Sequence, residues 1–290
     1  MFDVTKSKIL ITGAGAQLAV YFMRFAGNKG LQVKAYNRQE LDISNYPKLK
    51  ECLNSQSPDV VINCASYNLI DKAEDDPADA ININVRAVEQ MAELCLKKNI
   101  FLVHFSSAHV FNGRHIIPYK ETDQVDPINI YGKSKLKGEE AVQSILKDYL
   151  LLRLSWVFGH GKNCFLTKVR TWAKTNQVLK ISEDEISIPT YSQDVIETTV
   201  LCLKKGLRGL YHLTSSGYCS RTEYVRFFLE DMGMPNKVEA VPAASFNLKA
   251  QRPLYSCMSN QKLLTNLNIV MPDWKDGLKR FTDNIKQNEF

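Results

Sequence analysis

The sequence predicts a doubly wound α/β fold, a parallel sheet with helices on both faces, and three observations carry that prediction. Short apolar runs alternate with longer amphipathic stretches through the first half of the 290-residue chain. A turn of small residues, Gly13-Ala14-Gly15-Ala16, follows the first of those runs. The alternation then fades after residue 160, where a smaller, partly interleaved lobe is expected. Strands separated by helices pair in parallel and bury both faces, which is why most of these runs are dominated by apolar residues.

Taken in order, the runs Lys8–Thr12 (KILIT), Gln32–Tyr36 (QVKAY), Asp59–Asn63 (DVVIN), Phe101–Phe105 (FLVHF) and Tyr149–Leu154 (YLLLRL) are short, rich in β-branched and aromatic residues, and read as buried strands. Between them Gln17–Gly27, Tyr46–Ser55, Ala78–Lys98 and Ile130–Leu146 have apolar residues at helical spacing. In the second half the spacing predicts helices over Phe165–Thr175, Ser192–Lys205, Arg221–Met232 and Lys275–Lys286, with short strands at Leu179–Ile181 and Leu210–Leu213. The expected division is a dinucleotide-binding domain over 1–160 and a substrate lobe over 161–290. No internal repeat, low-complexity tract or Ser/Gly linker breaks the chain.

Composition narrows the function. Hydrophobic residues make up 44% and charged residues 23%, ordinary for a soluble globular protein. No apolar run approaches the roughly 18 residues that span a bilayer, so a cytoplasmic protein without membrane attachment is expected. The net charge of +6 is spread among acids and not gathered into a basic block, which argues against nucleic acid. Seven scattered cysteines, none in Cys-x-x-Cys spacing, argue against a disulfide framework and fit a reducing compartment. The five histidines show no ligand spacing with thiols or carboxylates, so no metal site is expected. No Gly-x-Ser-x-Gly elbow is present, and a nucleophilic triad finds no support.

The chemistry points elsewhere. Tyr131-Gly-Lys-Ser-Lys135 falls in a predicted helix, where positions four apart share a face. A phenol with a pKa of about 10 is a slow acid at neutral pH, and a cation within roughly 4–6 Å lowers that value. Alone the spacing also suits a plain polar surface helix. At the other end, the turn after the first strand places Gly13, Gly15, Ala16, Gln17 and Leu18 where backbone N–H groups and a helix dipole hold a pyrophosphate in Rossmann folds. Ala16 and Ala19 stand where related folds often have glycine. The second strand ends in Tyr36-Asn37-Arg38, and an arginine there favours a ribose 2′-phosphate, hence NADPH, with NADH still admitted and a solvated loop arginine as the alternative.

Read together, TGAGAQL (12–18), ELDIS (40–44), PDVVINCASYNLIDKAE (58–74), NV (84–85), SSAHVFNG (106–113), YGKSK (131–135), LRLSWVFG (152–159), EISIPTYSQDV (185–195), GLYHLTSSG (209–217) and QRP (251–253) resemble the extended short-chain dehydrogenase/reductases. Within them the sequence is most similar to the dTDP-4-dehydrorhamnose reductase family. The resemblance implies NAD(P)H-dependent reduction of the 4-keto group of a dTDP-linked 6-deoxyhexose. It implies Tyr131 as proton donor, Lys135 holding the nicotinamide ribose and depressing the Tyr131 pKa, and Ser107 bonded to the substrate carbonyl. By the same resemblance Asn37, Arg38, Asp42 and Ile43 lie near the adenosine, and Ala65, Ser66 and Tyr67 along the ribose and nicotinamide path. Asn84 orients the active-site helix. Asn68, His109, Trp156 and Arg252 face the sugar and its diphosphate, with a core tryptophan and a surface ion pair as the plainer readings of the last two.

The chain departs from the family where Ser106-Ser107-Ala108-His109-Val110-Phe111 replaces the usual Ser-Thr-Asp-Tyr-Val-Phe, and where Asn68 replaces threonine. Hydride chemistry is therefore more secure than the sugar. Two alternatives stay open: another nucleotide-sugar reductase or epimerase, and a non-catalytic dinucleotide-binding regulatory subunit. The oligomeric state is open too, a homodimer included.

Overall fold

Residues 3–161 and 164–287 are described by a computed structural model. The first half runs β1 (Ile9–Thr12), α1 (Gln17–Lys29), β2 (Val33–Tyr36), α2 (Tyr46–Gln56), β3 (Val60–Asn63), α3 (Ile70–Asp75), α4 (Pro77–Ile81), a π turn (Asn82–Arg86), α5 (Ala87–Lys98), β4 (Phe101–Ser107), α6 (Ile130–Ile145) and β5 (Tyr149–Leu154). The second half adds β6 (Val157–Phe158), α7 (Phe165–Ala173), β7 (Val178–Ser182), β8 (Ile186–Ser187), β9 (Thr190–Tyr191), α8 (Ser192–Lys205), β10 (Gly209–His212), β11 (Cys219–Ser220), α9 (Arg221–Asp231), β12 (Lys237–Val241), α10 (Gln261–Leu267) and α11 (Trp274–Gln287).

Six of these strands form one sheet in the order β10-β5-β4-β3-β1-β2, parallel at every pairing. Odd and even positions of each strand feed opposite faces. Ile9, Ile11, Val60, Ile62, Val103, Phe105, Leu150 and Leu152 join one core, with Phe22 of α1 and Val195 and Leu203 of α8. Leu10, Val61, Leu102 and Leu151 join the other, with Leu49 and Leu53 of α2, Met91 and Cys95 of α5 and Val142 of α6. Each fully buried leucine or isoleucine here contributes about 1.5–3 kcal/mol of transfer free energy. The doubly wound prediction holds.

One feature differs from the sequence reading. The single helix expected over Ala78–Lys98 is three pieces, because the Asn82–Arg86 turn is wound one residue wider than an α-helix. The second half also contributes β10 to the edge of the main sheet beside β5, so the main sheet draws on both sides of residue 160. No helix among the described residues is long and apolar enough to cross a membrane.

Because β1 lies between β2 and β3, the chain leaves β1 in one direction and returns on its other side. In open α/β sheets this reversal opens a crevice at the carboxyl ends of the strands. The turns after β1 and β3 meet there, so closely that a Cβ on Gly13 would lie 2.8 Å from the Ala65 Cα. Gly13 has φ of +70°, which an alanine adopts only with strain.

Candidate active site

The helix that carries Tyr131 and Lys135 is fixed at its start by two side chains. Asn129 caps it, its Oδ1 accepting from the Gly132 N–H at 2.7 Å, and the Glu74 carboxylate accepts from the Ile130 N–H at 2.7 Å. An anion at a helix N-terminus also complements the dipole. Two glycines let α6 press against its neighbours. A Cβ on Gly132 would lie 2.2 Å from the His109 carbonyl oxygen, and one on Gly138 would lie 2.3 Å from that of Asn84.

Tyr131 and Lys135 are both buried. The Lys135 ammonium donates to the Phe105 carbonyl at 2.7 Å and reaches Ser66 Oγ at 3.5 Å. Burial pushes its pKa down to about 8, against the opposing pull of Glu139. Burial raises the Tyr131 pKa above its ordinary value, and the neighbouring Ser107 hydroxyl acts in the other direction. The expectation that Lys135 acidifies Tyr131 is therefore corrected: the ammonium is engaged by Phe105 and Ser66, and desolvation dominates at the phenol. Ser107 Oγ accepts from the His109 N–H at 3.2 Å and is within hydrogen-bonding reach of the Tyr131 hydroxyl.

Asn84, at the centre of the π turn, ties the loop after β3 to α6. Its Oδ1 accepts from the Tyr67 N–H (2.9 Å) and Ser66 Oγ (3.0 Å), and its Nδ2 donates to the Tyr67 carbonyl (3.0 Å) and Ser134 Oγ (2.9 Å). The wide turn is what aims this side chain inward. Beneath lies a buried row in sheet register: Thr12 Oγ1 donates to Asn63 Oδ1 (2.7 Å), and Asn63 Nδ2 meets His104 Nδ1 (3.1 Å).

The structure brings most of the expected cofactor residues to the crevice. No side chain caps α1 at Ala16, so the N–H groups of its first turn face outward, and a Cβ on Gly15 would meet nothing within 4 Å. Gln17 donates to Ser192 Oγ at 2.6 Å, and Leu18 packs on the core. The Ala65 N–H donates to Asn63, and the Tyr67 hydroxyl is buried without a hydrogen-bond partner. Asn37 accepts from the Gln39 and Glu40 N–H groups, shaping the turn that exposes Arg38, whose side chain is 74% exposed and 3.3 Å from Asp42. Ile43 is the exception: its side chain is buried among the core leucines of α2, so only its main chain is available to an adenine.

On the substrate side, the His109 ring stands edge-on to Tyr131, with centroids 5.4 Å apart. Its Nδ1 lies 3.2 Å from Asn129 Nδ2, whose other contact is to the Gln251 carbonyl at 2.8 Å. Burial and then the positive charges of Arg252 and Arg221 push its pKa down to about 4, so at neutral pH it is an uncharged Nε2–H donor. Asn68 is exposed at the rim and bonded to Ser66 at 3.0 Å. Trp156 has φ of +35° and lies under the Arg221 guanidinium at 4.2 Å. Arg252 is paired with Asp71 at 2.6 Å, a partly buried link between α3 and the C-terminal lobe.

Sequence reasoning missed Arg221, Glu185, Asn129 and Asp71. Arg221 is held by both Glu185 oxygens at 2.9 and 3.1 Å and sandwiched between Trp156 and Phe165, and nothing in its surroundings along the chain announces this. Asn129 could have been found, since an asparagine just before a helical run is an N-cap signal.

A parallel sheet with a glycine turn at its crevice, and a buried tyrosine and lysine on the helix beside it, define a short-chain dehydrogenase/reductase. The sequence profile of the RmlD substrate binding domain matches residues 7–287. The chain belongs to this family, that of the dTDP-4-dehydrorhamnose reductases. It is 34% identical to dTDP-4-dehydrorhamnose reductase of Escherichia coli over 84% of this chain and 85% of that protein. It is 32% identical to the spore coat polysaccharide biosynthesis protein SpsK of Bacillus subtilis over 95% of this chain and 96% of that one. The crystal structure of dTDP-4-dehydrorhamnose reductase from Bacillus anthracis in complex with NADP superposes with a TM-score of 0.93 at 29% identity, covering 96% of this chain and 99% of that one. UDP-glucose 4-epimerase of Thermus thermophilus, at 17% identity and a TM-score of 0.82, shares the fold.

Proposed function

We propose that the protein uses NADPH to reduce the 4-keto group of a nucleotide-linked 6-deoxy sugar, dTDP-4-dehydro-L-rhamnose to dTDP-L-rhamnose, for polysaccharide biosynthesis. The observation that carries this reading is a buried tyrosine one helical turn from a buried lysine, with the Ser107 hydroxyl beside the phenol, at the edge of the glycine-lined crevice. A reductase must deliver a proton to the alkoxide that forms at the carbonyl carbon, so its acid has to hold that proton at neutral pH.

The crevice fits a dinucleotide. A Cβ-free cradle at Gly13, the uncapped start of α1 and the open space at Gly15 suit a pyrophosphate. Arg38 is exposed at the end of β2, where a 2′-phosphate would meet it, and NADH is the second choice. When bound, the cofactor supplies the hydride.

The chain's own residues do the rest. Ser107 donates its hydroxyl to the carbonyl oxygen, Tyr131 donates the proton, and Lys135 holds the ribose beside Ser66. His109 presents Nε2–H to the sugar, Asn68 lines its rim and Trp156 its apolar side. Arg252 leaves Asp71 to meet the diphosphate. The two-lobe division at residue 160 is part of the proposal, with the second lobe supplying Arg221 and Arg252, as are a homodimer and a cytoplasmic location. His109, Ala108 and Asn68 motivate a second reading in which the sugar differs. A purely regulatory subunit has no chemical use for a buried Tyr131 beside the Ser107 hydroxyl and a buried Lys135.

The test is NADPH oxidation by purified protein with dTDP-4-dehydro-L-rhamnose and a panel of other keto sugars. Tyr131→Phe is expected to lower kcat by about 10²–10⁴-fold with NADPH affinity nearly unchanged. Near-full turnover by that variant would remove Tyr131 as the proton donor.

A further inference from the structure

Glu139 lies four residues after Lys135 on α6, and its side chain has no solvent exposure. Arg153 of β5 grips it with Nε at 3.0 and 3.1 Å from the two carboxylate oxygens and Nη2 at 2.6 Å from Oε2. Arg153 is itself buried, stacked over Phe111 at 5.2 Å and beside His212 Nε2 at 3.5 Å. His212 stays neutral there, its pKa pushed down to about 3 by burial and then by Arg153.

A buried ion pair is a poor device for stability alone, since well-packed apolar residues of the same volume serve as well or better. What an apolar pair lacks is a negative charge one helical turn beyond Lys135. The groups that face Lys135 are Tyr131, Ser134 and Glu139 on its own helix, His104 and the Phe105 carbonyl on β4, and Ser66 after β3, with Asn84 bridging Ser66 to Ser134. Of these Glu139 alone is an anion.

We propose that Glu139 is a positioning residue for the reaction: its carboxylate, clamped by Arg153 one helical turn along the buried face of α6, holds the Lys135 ammonium in place against the Phe105 carbonyl and Ser66. The inference rests on the reading of Tyr131 as the proton donor and of Lys135 as the residue that holds the ribose. The lysine of the family motif is thus half of a longer unit, in which the strand next to β4 supplies the arginine that fixes the carboxylate.

The experiment follows the Lys135 titration directly, by the ¹³Cε shift in protein carrying labelled lysine, assigned through Lys135→Met and recorded without substrate. It is paired with the pH profile of NADPH-dependent turnover from about pH 6 to about pH 10. In Glu139→Gln the Lys135 midpoint falls by about one to two pH units and the alkaline limb of kcat/KM falls with it. Glu139→Asp keeps both near their original positions. Glu139→Gln/Arg153→Met leaves no buried unpaired charge, so it recovers stability while the Lys135 midpoint stays low. A wild-type midpoint in the double variant overturns the proposal, because Glu139 would then act only as a structural tie. Absence of turnover in the parent protein on every keto sugar, with the shift still seen, would instead defeat the reductase reading and with it any role in a reaction, leaving only the electrostatic tie between Glu139 and Lys135.

Discussion

Gly138→Ala tests whether the close seating of α6 on Asn84 sets the active site. In an exposed helix this change stabilises by about 1 kcal/mol, through propensity alone. Here the new Cβ would lie 2.3 Å from the Asn84 carbonyl oxygen. Carbon and carbonyl oxygen come no nearer than about 3.3 Å even in weak hydrogen bonds, so backbone must give by about 1 Å. Overpacking of that kind costs about 1–3 kcal/mol, which cancels or outweighs the propensity gain and leaves a net loss of about 0–2 kcal/mol. The segment pushed away holds Ser66, Tyr67 and Ser134 through the Asn84 side chain, and a misplacement of about 1 Å lowers turnover by about 10²-fold. Gly27→Ala on α1 is the control, since a Cβ there meets nothing within 4 Å, and it gains about 0.5–1 kcal/mol. Urea unfolding of both variants beside the parent, with kcat for NADPH-dependent reduction, reads both effects. A Gly138→Ala protein as stable as Gly27→Ala and fully active would refute the reasoning.

Arg38→Ala should weaken NADPH binding by about 10–100-fold, the range of a charge-assisted hydrogen bond, with little change for NADH. Fluorescence titration of both cofactors reads it, and equal losses would contradict a 2′-phosphate role. Stability should fall as pH drops from about 6.5 to about 3, because His212 is neutral in the folded protein until about pH 3 while the unfolded chain takes up its proton near 6.5. In that window the unfolded state binds more protons, so unfolding free energy rises with pH. His212→Gln should flatten the slope by about 1.4 kcal/mol per pH unit, and an unchanged slope in urea titrations would show that His212 is charged when folded.

Much of the catalytic half was legible because its signals are local. Five strands were read from short runs dominated by apolar residues, and all five are found with bounds within two residues of those expected. The Tyr131 and Lys135 pair was visible from spacing. The π turn was not, since one extra residue in a turn hardly disturbs an apolar spacing that α4 and α5 continue on either side. The two-residue strands β6, β8, β9 and β11 are too short to have a period. Arg221, Glu185 and Asp71 owe their places to contacts with distant segments, such as Trp156 and Arg252. The direction of the Tyr131 pKa was misjudged for the same reason: spacing locates a charge, but only the packed structure shows how much water it has lost.

The placement of β10 on the outer edge of β5 has a consequence for how the chain is made. During synthesis, every residue of the Tyr131 helix and of β5 emerges well before Gly209–His212, so β5 waits with one row of backbone groups unpaired. A nascent chain paused in that interval presents an adhesive strand edge. The late-arriving segment therefore acts as a closure, and truncations that end before it should be lost to aggregation more readily than truncations that end just after it.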